Sequence, residues 1–398
     1  MDIGAIKKEF PVLRRDDSLA YLDSAASAQS PDVVCRAVAS YYEESGANAH
    51  RGLYAQAQKA TDMLEDAREE AARFLRARKE EIIFTFGATH AANLAARSLA
   101  RFVGLSAGDE IAISEAEHNG AFLPFLGIAR DAGARVRIIP AGEDGIVSAD
   151  AAAASFSEKT KIAVIGRANN ITGGVNDTSA IARITRARGI IFVSDAAQAA
   201  GHMPISADDG PDFLFFSSHK MCGPLGTGVL WGRGEILEKM ENACPGGGTV
   251  ASFDGSEVRF LPPPGRFESG TQNIAGAAGM SAAMRFLSGI GIADIAAHSR
   301  DLAERAARAL REEGAAVYTA EHTTGIVSFR IDGIHPHDVA QVCADMHVAV
   351  RAGEHCAPRL CRRLGASSLV RASFYLYNTE HDIEKLVAAV RKAKSIFL

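Results

Sequence analysis

The sequence predicts an α/β protein with a largely parallel sheet, followed by a smaller α+β part. Three observations carry that expectation. Short apolar runs recur at Ile82–Thr85, Ile111–Ser114, Val136–Ile139, Ile162–Ile165, Ile190–Val193 and Phe213–Phe216, each too short for a helix. Helical stretches alternate with them, the rhythm of βαβ units, whose ligands lie at the carboxyl ends of the strands. With 398 residues, two domains are a better expectation than one.

The first twenty residues are charged and weakly patterned, and Tyr21-Leu22-Asp23 reads as a short strand or turn. Pro31 opens a helix that runs to about Glu44, and Gly46 to Gly52, with His50 and Arg51, is a polar turn. Residues Ala55 to Leu75 form a long Ala-rich helix with Met63, Leu64 and Phe74 inward. After the Ile82 strand come Phe86-Gly87-Ala88-Thr89-His90 and a helix from about Ala91 to Phe102. A strand, a Gly turn and a helix N-terminus together make an anion site, because free N–H groups and the dipole face the ligand. Thr89 adds a hydroxyl there, or simply caps the helix.

A helix over Thr178–Arg188 precedes the Ile190 strand. Gly246 to Gly248 and Pro262 to Gly265 mark turning loops. Two Ala/Arg-rich helices fill Ala275 to Gly314, the second ending on a Gly C-cap. A domain boundary near Leu287 divides a large unit, 21–286, from a small one made of 1–20 and 287–398. In the small unit Gly325–Ile331 alternates as a strand, Pro336 starts a helix to Met346, and Val348–Val350 is a strand aimed at the Gly353 turn. Thr379 and Asp382 cap a last helix whose Ile383, Leu386, Val387 and Val390 share one face.

Composition narrows the function classes. A hydrophobic fraction of 47% suffices for a large core, and the formal charge of −5 argues against a broad nucleic-acid footprint. No apolar run approaches the ~18 residues of a membrane span, and the N-terminus lacks the order of a signal peptide. Six scattered cysteines are no disulfide framework, so a reducing cytoplasm is expected.

Two strand ends carry chemistry. Phe213-Leu-Phe-Phe runs into Ser217-Ser-His-Lys220, and a lysine there either snorkels to water or is held neutral or covalently bonded. The Ile190 strand ends at Asp195-Ala-Ala-Gln198. A carboxylate and an amine at two strand ends fit pyridoxal 5′-phosphate (PLP), with Lys220 bonded to its aldehyde and Asp195 facing its ring nitrogen.

These motifs, with Arg266-Phe-Glu-Ser-Gly-Thr271-Gln-Asn, resemble the class V aminotransferases among the fold-type I PLP enzymes. Arg351-Ala-Gly-Glu-His-Cys356-Ala and Arg371-Ala-Ser-Phe-Tyr-Leu-Tyr-Asn378 narrow the resemblance to cysteine desulfurases of the Suf type, or group II. It runs from Tyr21 to the C-terminal helix. The resemblance implies a soluble homodimer that converts L-cysteine to L-alanine and leaves a persulfide on Cys356. An acceptor protein, as in iron–sulfur cluster assembly, takes that sulfur.

The resemblance also implies roles. Lys220 bonds the coenzyme and then acts as base, and His118 stacks on its ring and shuttles protons. Asn170 and Gln198 touch the phenolic oxygen, while Thr89, Ser217 and His219 take the phosphate. Thr271 reaches the phosphate of the neighbouring subunit. Arg371 clamps the substrate carboxylate and Arg351 steadies the thiolate or its loop.

Ala88, Asn119, Arg167, Ser218, Cys222, Leu225 and Glu354 depart from the usual residues around this site. A selenocysteine or cysteine-sulfinate lyase, or a lyase for another β-substituted amino acid, is therefore the alternative. A module without PLP, binding metal or carrying sulfur through Cys343, His347, His355, Cys356 and Cys361, is a more distant one, since paired C-x₂-C spacings are missing.

Overall fold

A computed structural model describes all residues, 1–398. Its centre is a seven-stranded sheet in the order Ile82–Thr85, Gly228–Gly232, Phe213–Ser217, Ile191–Asp195, Thr160–Val164, Glu110–Ser114 and Arg135–Ile139. Only Gly228–Gly232 runs against the others. The six remaining strands deliver their carboxyl ends to one edge, so Thr85, Ser114, Val164, Asp195 and Ser217 all face the same side. Helices cover both faces, which explains why the central strands read as unbroken apolar runs. The α/β expectation holds.

The remainder builds a four-stranded antiparallel sheet, Ala316–Tyr318, Ile326–Arg330, Leu369–Ser373 and Arg351–Gly353 in that order. Helices Ile292–Glu312, Pro336–Asp345 and Glu380–Phe397 pack on it around a core that includes Leu302, Phe329, Val339 and Leu386. Ala20 and Leu22, from the start of the chain, join this core. Phe10 instead joins the core of the large sheet, its ring 4.9 Å from Tyr377. Leu287 lies inside the helix Ile274–Ile290 and packs on the large sheet, and the chain turns by 78° at Gly291, which has φ +102°.

The structure corrects one local expectation and adds one helix. The helix after Ile82–Thr85 starts at Ala88, not Ala91, with Gly87 as its N-cap, so Thr89 sits in the first turn and is no cap. A helix over Asn119–Asp131 carries Pro124 inside it. A proline normally marks a helix boundary, and this one masked the helix in the sequence. The segment after Arg266 is fixed by a buried pair: Arg68 donates to both carboxylate oxygens of Glu268 at 2.6 and 2.9 Å, and Glu268 also accepts the Phe84 N–H at 2.7 Å. Removing one partner of such a pair typically costs about 3–5 kcal/mol.

Candidate active site

Asp195 is the last residue of its strand, and Lys220 ends the tight turn Ser218–Lys220 that follows the neighbouring strand. Both line one small cavity together with His118, Asn170 and Gln198. Residues from four separate stretches of the chain therefore meet where the strand ends converge. Burial pushes the Asp195 carboxyl up, against the opposing pull of the Lys220 charge. Burial likewise pushes the Lys220 amine down, which Asp195 opposes and Arg371 reinforces.

His118 caps the helix Asn119–Asp131, and its Nδ1 accepts the Gly120 N–H at 2.9 Å. That bond assigns the proton to Nε2, and burial holds the ring neutral with a pKa near 4. Glu117, a wall residue that sequence reasoning missed, is fully enclosed and accepts the Gly166 N–H at 2.6 Å. Burial and then the nearby Asp195 raise its carboxyl to about 8. Its only signal in the sequence was adjacency to His118.

An anion end lies at the helix Ala88–Phe102. The Ala88 N–H donates to Ser217 Oγ at 2.7 Å, joining this N-terminus to the Lys220 strand. A side chain on Gly120 would lie 3.0 Å from both Thr89 Oγ1 and His118 Nδ1, so these two groups are neighbours. His219 Nδ1 is 3.4 Å from Ser27 Oγ, and burial lowers its pKa to about 4. Ser218 Oγ is buried without a partner, and a Cβ on Gly223 would sit 1.9 Å from it. Only glycine admits that turn. A carboxylate and an amine lining one cavity, with a helix N-terminus joined through Ser217 to the strand that leads to the amine, fit a cationic aromatic ring bearing a phosphate. Asn170 Oδ1, also buried and unpartnered, is a further polar group available to it. Gln198 has already committed Nε2 to the Ala25 carbonyl at 2.9 Å.

The loop with Cys356 rests against this cavity. Asn170 Nδ2 donates to the His355 carbonyl at 2.7 Å, and the Asn119 N–H donates to the Cys356 carbonyl at the same distance. His355 and Cys356 both adopt left-handed backbone, φ +51° and +55°. Each such residue costs on the order of 1 kcal/mol or more and persists only where its surroundings fix it. The loop is thus tethered by its own carbonyls, while the Cys356 side chain stays exposed.

Arg371 is buried and donates Nη1 to the Asn170 carbonyl at 3.0 Å, and its Nε has no partner. Burial lowers its pKa to about 10. Arg351 is directly opposite it across the strand pair. Thr271 is not brought into the cavity. It lines a separate open cleft of ≈ 910 Å³ with His50 and Arg51. No three His, Cys, Asp or Glu side chains stand close enough together to hold a metal ion.

The chain is similar over its whole length to known proteins. The chain is 42% identical over its full length to a probable cysteine desulfurase of Halalkalibacterium halodurans, covering 99% of that protein. It is 38% identical to one of Streptomyces coelicolor, covering 98% of it. Among solved structures, the cysteine desulfurase CsdA of Escherichia coli superposes with a TM-score of 0.93 at 34% identity, each chain covered completely. The cysteine desulfurase of Thermococcus onnurineus gives 0.94 at 33% identity, with 98% of each chain covered. The family described as aminotransferase class-V matches residues 20–386, and the chain belongs to it.

Proposed function

We propose that this protein is a PLP-dependent cysteine desulfurase, converting L-cysteine to L-alanine and passing sulfur through Cys356 to an acceptor protein. The observation that carries the reading is the tether between the thiol loop and the cavity wall: Asn170 and Asn119 hold the carbonyls of His355 and Cys356. A nucleophile is thereby kept beside the Lys220–Asp195 pair.

When bound, PLP supplies an electron sink for cleavage of bonds next to the substrate's amine-bearing carbon. Asp195, buried at the strand end, would hold the proton on its ring nitrogen, and Lys220 would be the residue that bonds its aldehyde. The Lys220 amine, whose pKa burial lowers, is suited to take the substrate's Cα proton. Ser217, Thr89 and His219 bind the phosphate, and Asn170 with Gln198 sits on the phenolic side. His118, a neutral wall residue that donates through Nε2, would face the ring and relay protons. Arg371 clamps the substrate carboxylate. The Cys356 thiolate attacks the substrate sulfur: an S–S bond forms, the C–S bond breaks, and Cβ takes a proton to become the methyl of alanine.

The functional unit is a homodimer. Leu53, Phe253 and Phe260 are exposed apolar residues, of the kind buried between subunits, and Thr271 then serves the partner's phosphate. A division at the Gly291 turn, with Phe10 and Leu287 on the large-sheet side, separates coenzyme from thiol. A cytoplasmic location is in keeping with six cysteines outside any disulfide, and no single helix is long and apolar enough to cross a membrane. The test incubates the holoenzyme with L-cysteine, with and without reductant, measuring alanine and mapping added sulfur by mass. Cys356→Ser keeps the PLP absorbance and loses alanine formation; undiminished desulfuration by that variant overturns direct attack by this thiol.

A further inference from the structure

Arg351 and Arg371 are Cα partners across an antiparallel strand pair. Like charges directly opposite each other destabilise a sheet, so the arrangement needs a counter-charge. Asp23 provides it. Its Oδ2 lies 3.2 Å from Arg351 Nη2 and its Oδ1 lies 3.4 Å from Arg371 Nη2. Asp23 is fixed from its own backbone, since it bridges to Ser373 on the strand that bears Arg371, and the preceding Leu22 carbonyl accepts the Ser373 N–H at 2.8 Å.

The two arginines differ in setting. Arg371 is 3% exposed and has Nε unpartnered, whereas Arg351 is 52% exposed. Arg351 opens the strand Arg351–Gly353 that leads to Cys356, the thiol that takes the sulfur of the substrate's side chain in the proposed reaction. One carboxylate shared between two guanidiniums leaves one net positive charge for the substrate.

We propose that Asp23 is a positioning residue that sets this charge, so that the site selects amino acids with an uncharged side chain, such as cysteine, over those with a second anionic group, such as cysteine sulfinate. The inference rests on the reading of Arg371 as the holder of the substrate carboxylate. It assigns a specificity role to a residue far from the strand-end motifs.

Calorimetric titration of the holoenzyme with L-alanine and with L-aspartate tests it, because the two share the α-carboxylate and differ by one side-chain charge. The wild type binds L-alanine more tightly. Asp23→Asn, which keeps the side chain's shape, shifts the affinity ratio toward L-aspartate by about tenfold, or about 1.4 kcal/mol. Arg351→Gln alone shifts the ratio the opposite way, and it decides the matter if the Asp23 variant does not fold. The double variant returns the ratio to that of the wild type.

An unchanged ratio in either single variant, or equal weakening toward both ligands, overturns the proposal, as does failure of the wild type to bind L-alanine. Alanine production from L-cysteine is measured on the same wild-type sample. A preparation that shows the expected ratio shifts but makes no alanine sinks the desulfurase reading and leaves the charge-setting role standing.

Discussion

The carboxyl edge of the large sheet and the Cys356 loop present reactive groups by opposite means. Asp195 and Lys220 sit at the ends of buried strands, and their positions follow from register within a sheet whose side chains are close-packed. Cys356 sits on two consecutive left-handed residues and owes its place to a few hydrogen bonds from a different part of the chain. Burial shifts the proton affinities of the groups at the sheet edge, while the thiol is exposed. A site of this kind has a rigid half that activates the substrate and a tethered half that accepts its sulfur. Damage to the first removes chemistry; damage to the second removes delivery.

The largest expected effect breaks the rigid half. Lys220→Ala loses both the covalent bond to the coenzyme and the base, so turnover falls by at least about a thousandfold. Borohydride reduction followed by mass measurement then finds no PLP fixed to the chain, and PLP still trapped on it contradicts the role of Lys220. A smaller effect releases the tethered half. Asn170→Ala deletes the bond to the His355 carbonyl, a contact of about 1 kcal/mol, so alanine formation drops about fivefold. Faster proteolytic cleavage near His355 accompanies it, and unchanged cleavage means that Asn170 is not the tether.

The smallest effect concerns Glu117 and sharpens the electrostatic contrast. Its carboxyl ordinarily titrates at 4.5 and in the fold at about 8. Between those values the folded chain holds a proton that the unfolded chain has lost, so this group makes stability fall as pH rises. Glu117→Gln removes that contribution, and urea denaturation shows a weaker decline from pH 5 to 8 than in the wild type. His118, His202 and His219, whose pKa values are lowered by burial to about 4, act in the opposite sense below their ordinary 6.5. Both proteins share them, so the difference isolates Glu117. Parallel curves contradict a protonated Glu117.

Much of the frame was legible because strands and long helices are written in local periodicity. The helix Ala55–Leu75 and the strand Ile82–Thr85 have the bounds read from the sequence. The helix Asn119–Asp131 escaped because Pro124 gives a local signal against it. At the site, Lys220 and Asp195 were readable as polar residues ending apolar runs. Asp23 and Glu117 were not, since each matters through partners remote in the chain: Arg351 and Arg371 for the one, Gly166 and Asp195 for the other.

The order of apolar runs, turns and helix caps by itself determined the α/β architecture and which residue types stand at the strand ends, because those features depend on neighbours within a few positions. Tertiary structure alone decided which strand ends lie side by side, that Thr271 stays out of the cavity, and that Asp23 lies between two arginines. It also decided which carbonyls hold the thiol loop. These are long-range contacts whose distances and desolvation arise only when separate segments pack, and no local pattern encodes them.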